Sequence, residues 1–132
     1  MFDHISFGVT DFAKSVAFYD ATLTPLGIKR MFAMSAEAIA GYSGTNGSTF
    51  WLYGKTSDKQ PLITIPDRPR FHLAFSAPNR SAVDAFYQGA IASGGKDEGA
   101  PGIRAQYHPN YYAAYVFDVD GYKLEAVCHQ PE

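Results

Sequence analysis

Two stretches of this chain alternate apolar residues with small or polar ones. Residues 2–9 place Ile5, Phe7 and Val9 on one side of an extended chain, and residues 71–77 repeat the alternation. A period of two is typical of a strand with one buried face. The pattern therefore predicts two equivalent strands, separated by more than half of the chain.

A helical pattern follows each of these predicted strands. The first helix is indicated by apolar residues at helical spacing, namely Phe12, Val16, Tyr19 and Leu23. The second helix is indicated in the same way by Val83, Phe86, Ala90 and Ile91.

Local signals predict where the helices begin and end. Ser81 and Asp84 have the spacing of a capping box at the start of the second helix. Gly27 and the pair Gly94-Gly95 are predicted helix ends, because glycine enters the left-handed conformation without a steric clash.

The two halves form an internal repeat. Aligning His4 with His72 places HISFGVTDFAKSVAFYDATLTPLG over HLAFSAPNRSAVDAFYQGAIASGG without a gap. A second block sets IAGYSGTNGSTFWLY over AAYVFDVDGYKLEAV, so Asn46-Gly47 falls on Asp120-Gly121. Both dipeptides predict hairpin turns. Each half is therefore predicted to be a βαβββ module, and the repeat indicates one fold built from two copies.

These elements predict a single α+β domain over residues 1–132. The first module is assigned to residues 1–55 and the second to residues 71–132. A polar, proline-rich run occupies residues 56–70 and is typical of a connector. A length of 132 residues suits one compact domain of this kind.

Composition narrows the classes of partner. The chain is 46% hydrophobic and 18% charged, as in ordinary globular proteins. Its net charge is −2 and it has no basic patch with interleaved aromatic residues, so a nucleic-acid partner is not expected.

Other features bear on location. The start, MFDHISFGV, lacks the basic residues of a signal peptide, and no apolar run approaches the roughly 20 residues that span a bilayer. The single cysteine, Cys128, excludes an intrachain disulfide and suits a reducing compartment. We therefore expect a cytoplasmic protein with no membrane partner.

Through the strands, helices and turns of its internal repeat, the chain resembles the vicinal oxygen chelate superfamily, the group of glyoxalases, bleomycin-resistance proteins and extradiol dioxygenases. The resemblance covers essentially the whole chain, from the opening strand with His4, through VTDFAKSVAFYDATLTPLGI and FHLAF, to YYAAYVFDVDGYKLEAV. The last block is the most specific, because the family commonly ends in a strand, a D-x-D-G turn and a strand carrying a glutamate. The resemblance implies two βαβββ modules that form an incomplete barrel, and a homodimer.

The resemblance also implies a metal site with three protein ligands. His4 and His72 match the first-strand positions of the two modules, and Glu125 matches the last-strand position of the second. The fourth position falls on Trp51, whose indole cannot ligate a metal. This pattern departs from four-ligand glyoxalase I. It fits the three-ligand pattern of fosfomycin-resistance transferases and extradiol dioxygenases. The ligands are expected to come from one chain or from two chains of a dimer.

Two imidazoles and a carboxylate leave part of a metal's coordination sphere open for substrate oxygens. Iron, manganese, zinc, nickel or cobalt suits such a site. The implied activity is that of a metal-dependent lyase, dioxygenase or thiol transferase on a small molecule with vicinal oxygens, with Glu125 as the candidate catalytic residue. The alternatives are a drug-sequestering protein of the bleomycin-resistance type, and a structural homodimer whose cup is filled by its own side chains.

Further residues are candidate substrate contacts. Trp51 would form an aromatic wall or fill the cup. Arg104 and Tyr107 would hold an anionic group or have an ordinary surface role. His108 would contact substrate or lie in a solvated loop, and Tyr112 would face the cavity or pack in the core.

Overall fold

The computed structural model describes residues 1–55 and 71–132, and each segment forms a four-stranded sheet with one helix packed on it. The first contains β1 (His4–Val9), α1 (Phe12–Leu23), β2 (Lys29–Met34), β3 (Ile39–Ser43) and β4 (Thr49–Gly54). The second contains β5 (His72–Ser76), α2 (Arg80–Ala92), β6 (Lys96–Ile103), β7 (Tyr112–Phe117) and β8 (Lys123–Cys128). The predicted connector, residues 56–70, lies outside the described residues.

The two sheets have the same topology. The strand orders are β1-β4-β3-β2 and β5-β8-β7-β6. β1 pairs in parallel with β4, and β5 with β8, while the remaining pairs are antiparallel. Within residues 1–55 and 71–132 no hydrogen-bonded strand pair joins the sheets, so no closed barrel forms. The predicted α+β fold of two βαβββ modules is confirmed.

Both helices begin at an acid or amide side chain that caps the helix. The Asp11 carboxylate accepts a hydrogen bond from the backbone N–H of Lys14 at 3.0 Å, and the Asn79 side chain accepts one from Ala82 at 2.8 Å. The predicted capping box at Ser81 is therefore wrong. Asn79 takes the cap two residues earlier, since it precedes the helix in an extended conformation suited to that role.

The helix ends and hairpins follow the predicted glycines. α1 continues into a short 3₁₀ turn, Thr24–Leu26, and ends at Gly27 with φ of 77°. Gly121 in the β7–β8 hairpin has φ of 100°, a conformation that disfavours residues with a side chain. Neither helix in the described segments has the length and apolar character needed to cross a membrane.

Each sheet has a buried face against the helices and an open face. In the first sheet Phe7 pairs with Leu52, and both are buried. On the opposite face Ser6 pairs with Trp51, which in turn pairs with Gly41 of β3. The alternation predicted from the sequence is thus what separates the core from the open face.

The two modules share one hydrophobic core. The Tyr122 ring stacks on Phe7 with centroids 4.1 Å apart, and its hydroxyl donates to the Gly8 carbonyl at 3.0 Å. Phe50 meets Phe75 edge to face across the same boundary. The β7–β8 hairpin is therefore fixed against the first module, and its geometry depends on both halves.

The close approach of α1 and α2 gives a first prediction. A methyl group added at Gly89 would lie 2.8 Å from the carbonyl oxygen of Ala21, which is backbone and cannot swing away. We expect Gly89→Ala to lower the free energy of unfolding by about 1–3 kcal/mol, although alanine favours a helix over glycine by about 1 kcal/mol. Urea denaturation measures the change. Gln88→Ala, at an exposed position of α2, is the control and should have little effect.

Candidate functional site

A pocket of about 480 Å³ lies on the open face of the second sheet. We call it the second-module pocket. It is lined by residues of four strands and of the loop between β6 and β7: His72, Glu98, Gly99, Arg104, Gln106, Tyr107, Tyr111, Tyr115, Lys123 and Glu125. Both cationic and anionic side chains therefore meet three tyrosine rings in one place.

A buried carboxylate forms part of the pocket wall. Glu125 is only 2% exposed, although it lies on the open face of β8, where it pairs with Ala74 and Tyr115. Its Oε2 is 2.9 Å from Nε2 of His72, and its Oε1 accepts a hydrogen bond of 2.5 Å from the hydroxyl of Tyr111. These two contacts compensate the loss of water that burying a carboxylate entails.

The two tyrosines beside Glu125 are kept protonated. Burial, followed by the charge of Glu125, raises the pKa of Tyr115 to about 12. Burial and the hydrogen bond to Glu125 raise the pKa of Tyr111 well above its usual value. Both hydroxyls therefore remain hydrogen-bond donors at neutral pH and can hold an oxygen acceptor in place.

Two cations flank the Tyr115 ring. The Arg104 guanidinium carbon is 5.6 Å from the ring centroid and the Lys123 ammonium is 5.2 Å from it. Arg104 donates from Nη2 to the carbonyl oxygen of Ala100 at 2.7 Å, and the Lys123 ammonium lies 3.5 Å from Glu98. Positive charge thus lines the pocket close to the buried carboxylate.

His4 and Trp51 lie on the first sheet, away from this pocket. The His4 imidazole is exposed, with Nδ1 2.6 Å from Asp3, and it lines a second pocket of about 440 Å³ that also contacts β5. The Trp51 indole donates to Thr49 at 3.0 Å and lies over Gly41, where an added methyl group would come within 2.8 Å of the ring.

The structure therefore brings together only part of the predicted metal site. His72 and Glu125 are in contact, while His4 lines the other pocket. Within residues 1–55 and 71–132 no three histidine, cysteine or carboxylate side chains converge on one point. The three-ligand metal site stays a prediction. Within a single chain, two of its three predicted ligands, His72 and Glu125, are neighbours.

The predicted substrate contacts divide in the same way. Arg104 and Tyr107 line the second-module pocket. His108 does not belong to its lining; its Nε2 is 2.7 Å from Nδ1 of His129, and the two rings stack.

Of the two alternatives for Tyr112, the structure favours packing against the core over facing the cavity. Its hydroxyl donates to Asp84 of α2 at 2.7 Å, so the ring lies on the helix side of the sheet. The physical reason is strand register, because Tyr115 pairs with Glu125 on the open face and Tyr112 is three residues away.

Sequence reasoning missed Tyr111 and Glu98. Tyr111 directly precedes β7 and lies an even number of residues from Tyr115, so it falls on the same face as Glu125. That signal becomes readable once the Asp120-Gly121 hairpin sets the register of β7 against β8. No comparable signal marks Glu98, which lies in the irregularly paired strand β6.

A family model and solved structures of similar proteins point to the same protein family. The model of the Glyoxalase/Bleomycin resistance protein/Dioxygenase superfamily matches residues 1–126. A search of curated proteins finds no match. A crystal structure of a glyoxalase/bleomycin resistance protein from Albidiferax ferrireducens T118 is 33% identical, with a TM-score of 0.80 over 97% of this chain and 98% of that one.

More distant structures share the fold. A glyoxalase-related enzyme from Fulvimarina pelagi is 21% identical, with a TM-score of 0.70 over 97% of this chain and 87% of its own. A glyoxalase/dioxygenase from Nostoc punctiforme is also 21% identical, with a TM-score of 0.70 over 100% of this chain and 92% of its own.

Proposed function

Because the chain belongs to the Glyoxalase/Bleomycin resistance protein/Dioxygenase superfamily, we propose that it is a small metal-dependent enzyme acting on an organic molecule with two neighbouring oxygen atoms. The observation that carries this proposal is Glu125, a carboxylate only 2% exposed that contacts His72 on the wall of an open pocket. A carboxylate is costly to bury unless it is paired or binds a metal, so a buried carboxylate on a pocket wall is a candidate functional group. Lyase, dioxygenase and thiol-transferase chemistry all fall within the proposal.

The residues present fit two positions of a divalent-metal site. An imidazole and a carboxylate are suitable donors for iron, manganese, zinc, nickel or cobalt. Glu125 is buried with one oxygen facing His72, which is the arrangement expected of a donor pair. When bound, such an ion supplies a Lewis acid that polarises a carbonyl or stabilises an enolate.

The other residues of the second-module pocket have positioning roles. The Tyr111 hydroxyl donates to Oε1 of Glu125 and fixes the plane of the carboxylate, which leaves Oε2 directed at His72. Oriented ligands bind metals more tightly than free ones. Tyr107 and Tyr115 form aromatic walls that would exclude water from a bound substrate.

A second copy of the chain would supply the third ligand, His4. The open face of the first sheet exposes apolar side chains beside Trp51, with Phe32 at 42%, Met34 at 39% and Tyr53 at 46% exposure. Exposed apolar side chains that share one sheet face are typical of an interface. We therefore propose a homodimer in which this face covers the partner's second-module pocket, and, from the unpaired Cys128, a cytoplasmic location.

The test is metal content. Protein purified without chelators or metal-affinity resin is expected to retain close to one divalent ion per chain, measured by inductively coupled plasma mass spectrometry. His72→Ala and Glu125→Gln should each lower the affinity at least about tenfold, because each removes a donor. His108→Ala is the matched control, since His108 lies outside the pocket lining, and it should keep its metal.

A folded wild type that stays metal-free after incubation with all five ions would contradict the proposal. It would favour the second candidate, a non-catalytic small-molecule binding protein of the bleomycin-resistance type. The observation in favour of that candidate is the aromatic lining of the pocket by Tyr107, Tyr111 and Tyr115.

A further inference from the structure

We propose that the second-module pocket selects substrates that carry a carboxylate group, and that the guanidinium of Arg104 is the anchor for that group. The inference rests on the proposed function, because it takes this pocket to be the substrate site. It adds the chemical class of the substrate and the residue that recognises it.

Arg104 is held in place by the backbone of β6. A methyl group added at Gly102 would lie 3.0 Å from its Nη1, and one added at Gly99 would lie 3.4 Å from its Nη2. The two glycines therefore let the guanidinium lie close against the strand. The Ala100 carbonyl accepts from Nη2 at 2.7 Å, and the Tyr115 ring lies on another side. A cation fixed in this way loses little conformational entropy when a ligand binds.

Among the residues that the structure describes, no neighbouring carboxylate neutralises the charge of Arg104. In the described segments Arg30 pairs with Asp20 at 3.3 Å and Arg80 with Glu132 at 3.1 Å, whereas Arg104 has no carboxylate oxygen within 4.0 Å among those residues. An arginine that is ordered and partly buried, yet lacks an anionic partner, is available to an anionic ligand.

The second cation in the pocket is differently placed. Lys123 lies against the same tyrosine ring, but its ammonium is 3.5 Å from Glu98. Among the described residues that line the pocket, Arg104 is therefore the cation without a carboxylate partner, and one such charge matches a singly charged, planar carboxylate better than a phosphate, which carries more charge. The guanidinium fork also matches a carboxylate in shape.

The experiment compares a charged probe with its neutral methyl ester. Pyruvate and methyl pyruvate share neighbouring carbonyl oxygens, but only pyruvate carries a carboxylate. Titration calorimetry with the full-length protein, with and without added Mn²⁺, is expected to show pyruvate binding at least about tenfold more tightly than methyl pyruvate. The preference should weaken as the salt concentration rises.

Variants assign the preference to one residue. Arg104→Gln should abolish the preference for pyruvate over methyl pyruvate. Glu98→Gln, which frees Lys123, should strengthen pyruvate binding. Arg80→Gln is the matched control, because Arg80 also lies over a tyrosine of β7, at 5.2 Å from the Tyr112 ring, but outside the pocket lining.

Equal affinity for the two probes in the folded wild type would overturn the inference, as would a preference that survives Arg104→Gln. Inorganic phosphate that binds more tightly than pyruvate would overturn the choice of a carboxylate, and so would the absence of detectable pyruvate binding. Failure here is distinct from failure of the proposed function. Stoichiometric metal with no charge preference would reject only the anion site, and charge preference without metal would reject only the metalloenzyme.

Discussion

Replacing Asp118 with alanine is expected to lower the free energy of unfolding by about 2–4 kcal/mol, because it leaves several buried hydrogen-bond donors without a partner. Asp118 is 3% exposed. Its Oδ2 accepts from the Tyr19 hydroxyl at 2.5 Å, and its Oδ1 accepts from the backbone N–H groups of Asp120, Gly121 and Tyr122 at 2.8–2.9 Å. One carboxylate thus shapes the hairpin and ties it to α1.

The main effect of Asp118→Ala should be on the free energy of unfolding, and both modules should be destabilised. Burial raises the pKa of Asp118, and the hydrogen bonds from Tyr19 and the backbone oppose that rise, so the site depends on its donors. Urea denaturation followed by circular dichroism gives the change in free energy. Tyr19→Phe, which removes one of these donors, should cost about 1–2 kcal/mol.

Asp120→Ala is the control in the same turn. Asp120 is half-buried, and its one hydrogen-bond donor among the described residues is the backbone N–H of Thr10, at 3.2 and 3.3 Å. Its removal should cost less than about 1 kcal/mol. If Asp118→Ala and Asp120→Ala proved equally mild, the hairpin would not depend on the buried carboxylate.

Mixed dimers of two variants that each bind metal weakly are expected to recover the tight metal binding that neither homodimer has. In the proposed dimer each site takes His4 from one chain and His72 with Glu125 from the other. His4→Ala and Glu125→Gln homodimers each lack a ligand in both of their sites. A heterodimer of the two has one site with all three ligands and one site with only His72.

The experiment needs two affinity tags that do not bind metal, with sequential purification of the co-expressed heterodimer. Mass spectrometry of metal content should give about one ion per heterodimer and at least about tenfold weaker binding in either homodimer. The physical basis is the separation of His4 from the His72–Glu125 pair within one chain, where they line different pockets.

A heterodimer of His72→Ala with Glu125→Gln is the matched control. Both changes affect the donors that one chain supplies together, so no site in that heterodimer is complete and no metal should be recovered. Recovery in the control, or a monomer by light scattering of the wild type, would contradict a site shared between chains.

Periodicity and the internal repeat were sufficient to predict the fold to the level of its strands and helices. Alternation around Phe7 and the repeat of His4 at His72 predict two matching strands, and these lie at His4–Val9 and His72–Ser76. Local chemistry was sufficient because a strand or helix is specified by the periodicity of its own residues. The capping box at Ser81 failed because the helix begins two residues earlier, where the Asn79 side chain accepts from the backbone N–H of Ala82.

Tertiary structure decided which side chains meet. Glu125 and His72 lie 53 positions apart, and the parallel pairing of β5 with β8 brings them into contact. The roles of Tyr111 and Tyr112 depend on the pairing register of β7. A shift of this register by one residue would move each side chain to the opposite face of the sheet, and the sequence does not fix the register. The position of His4 relative to His72 depends on how the two modules pack and, in the proposed dimer, on how the two chains pack. The repeat equates His4 with His72 in sequence, but only packing determines whether they share a site.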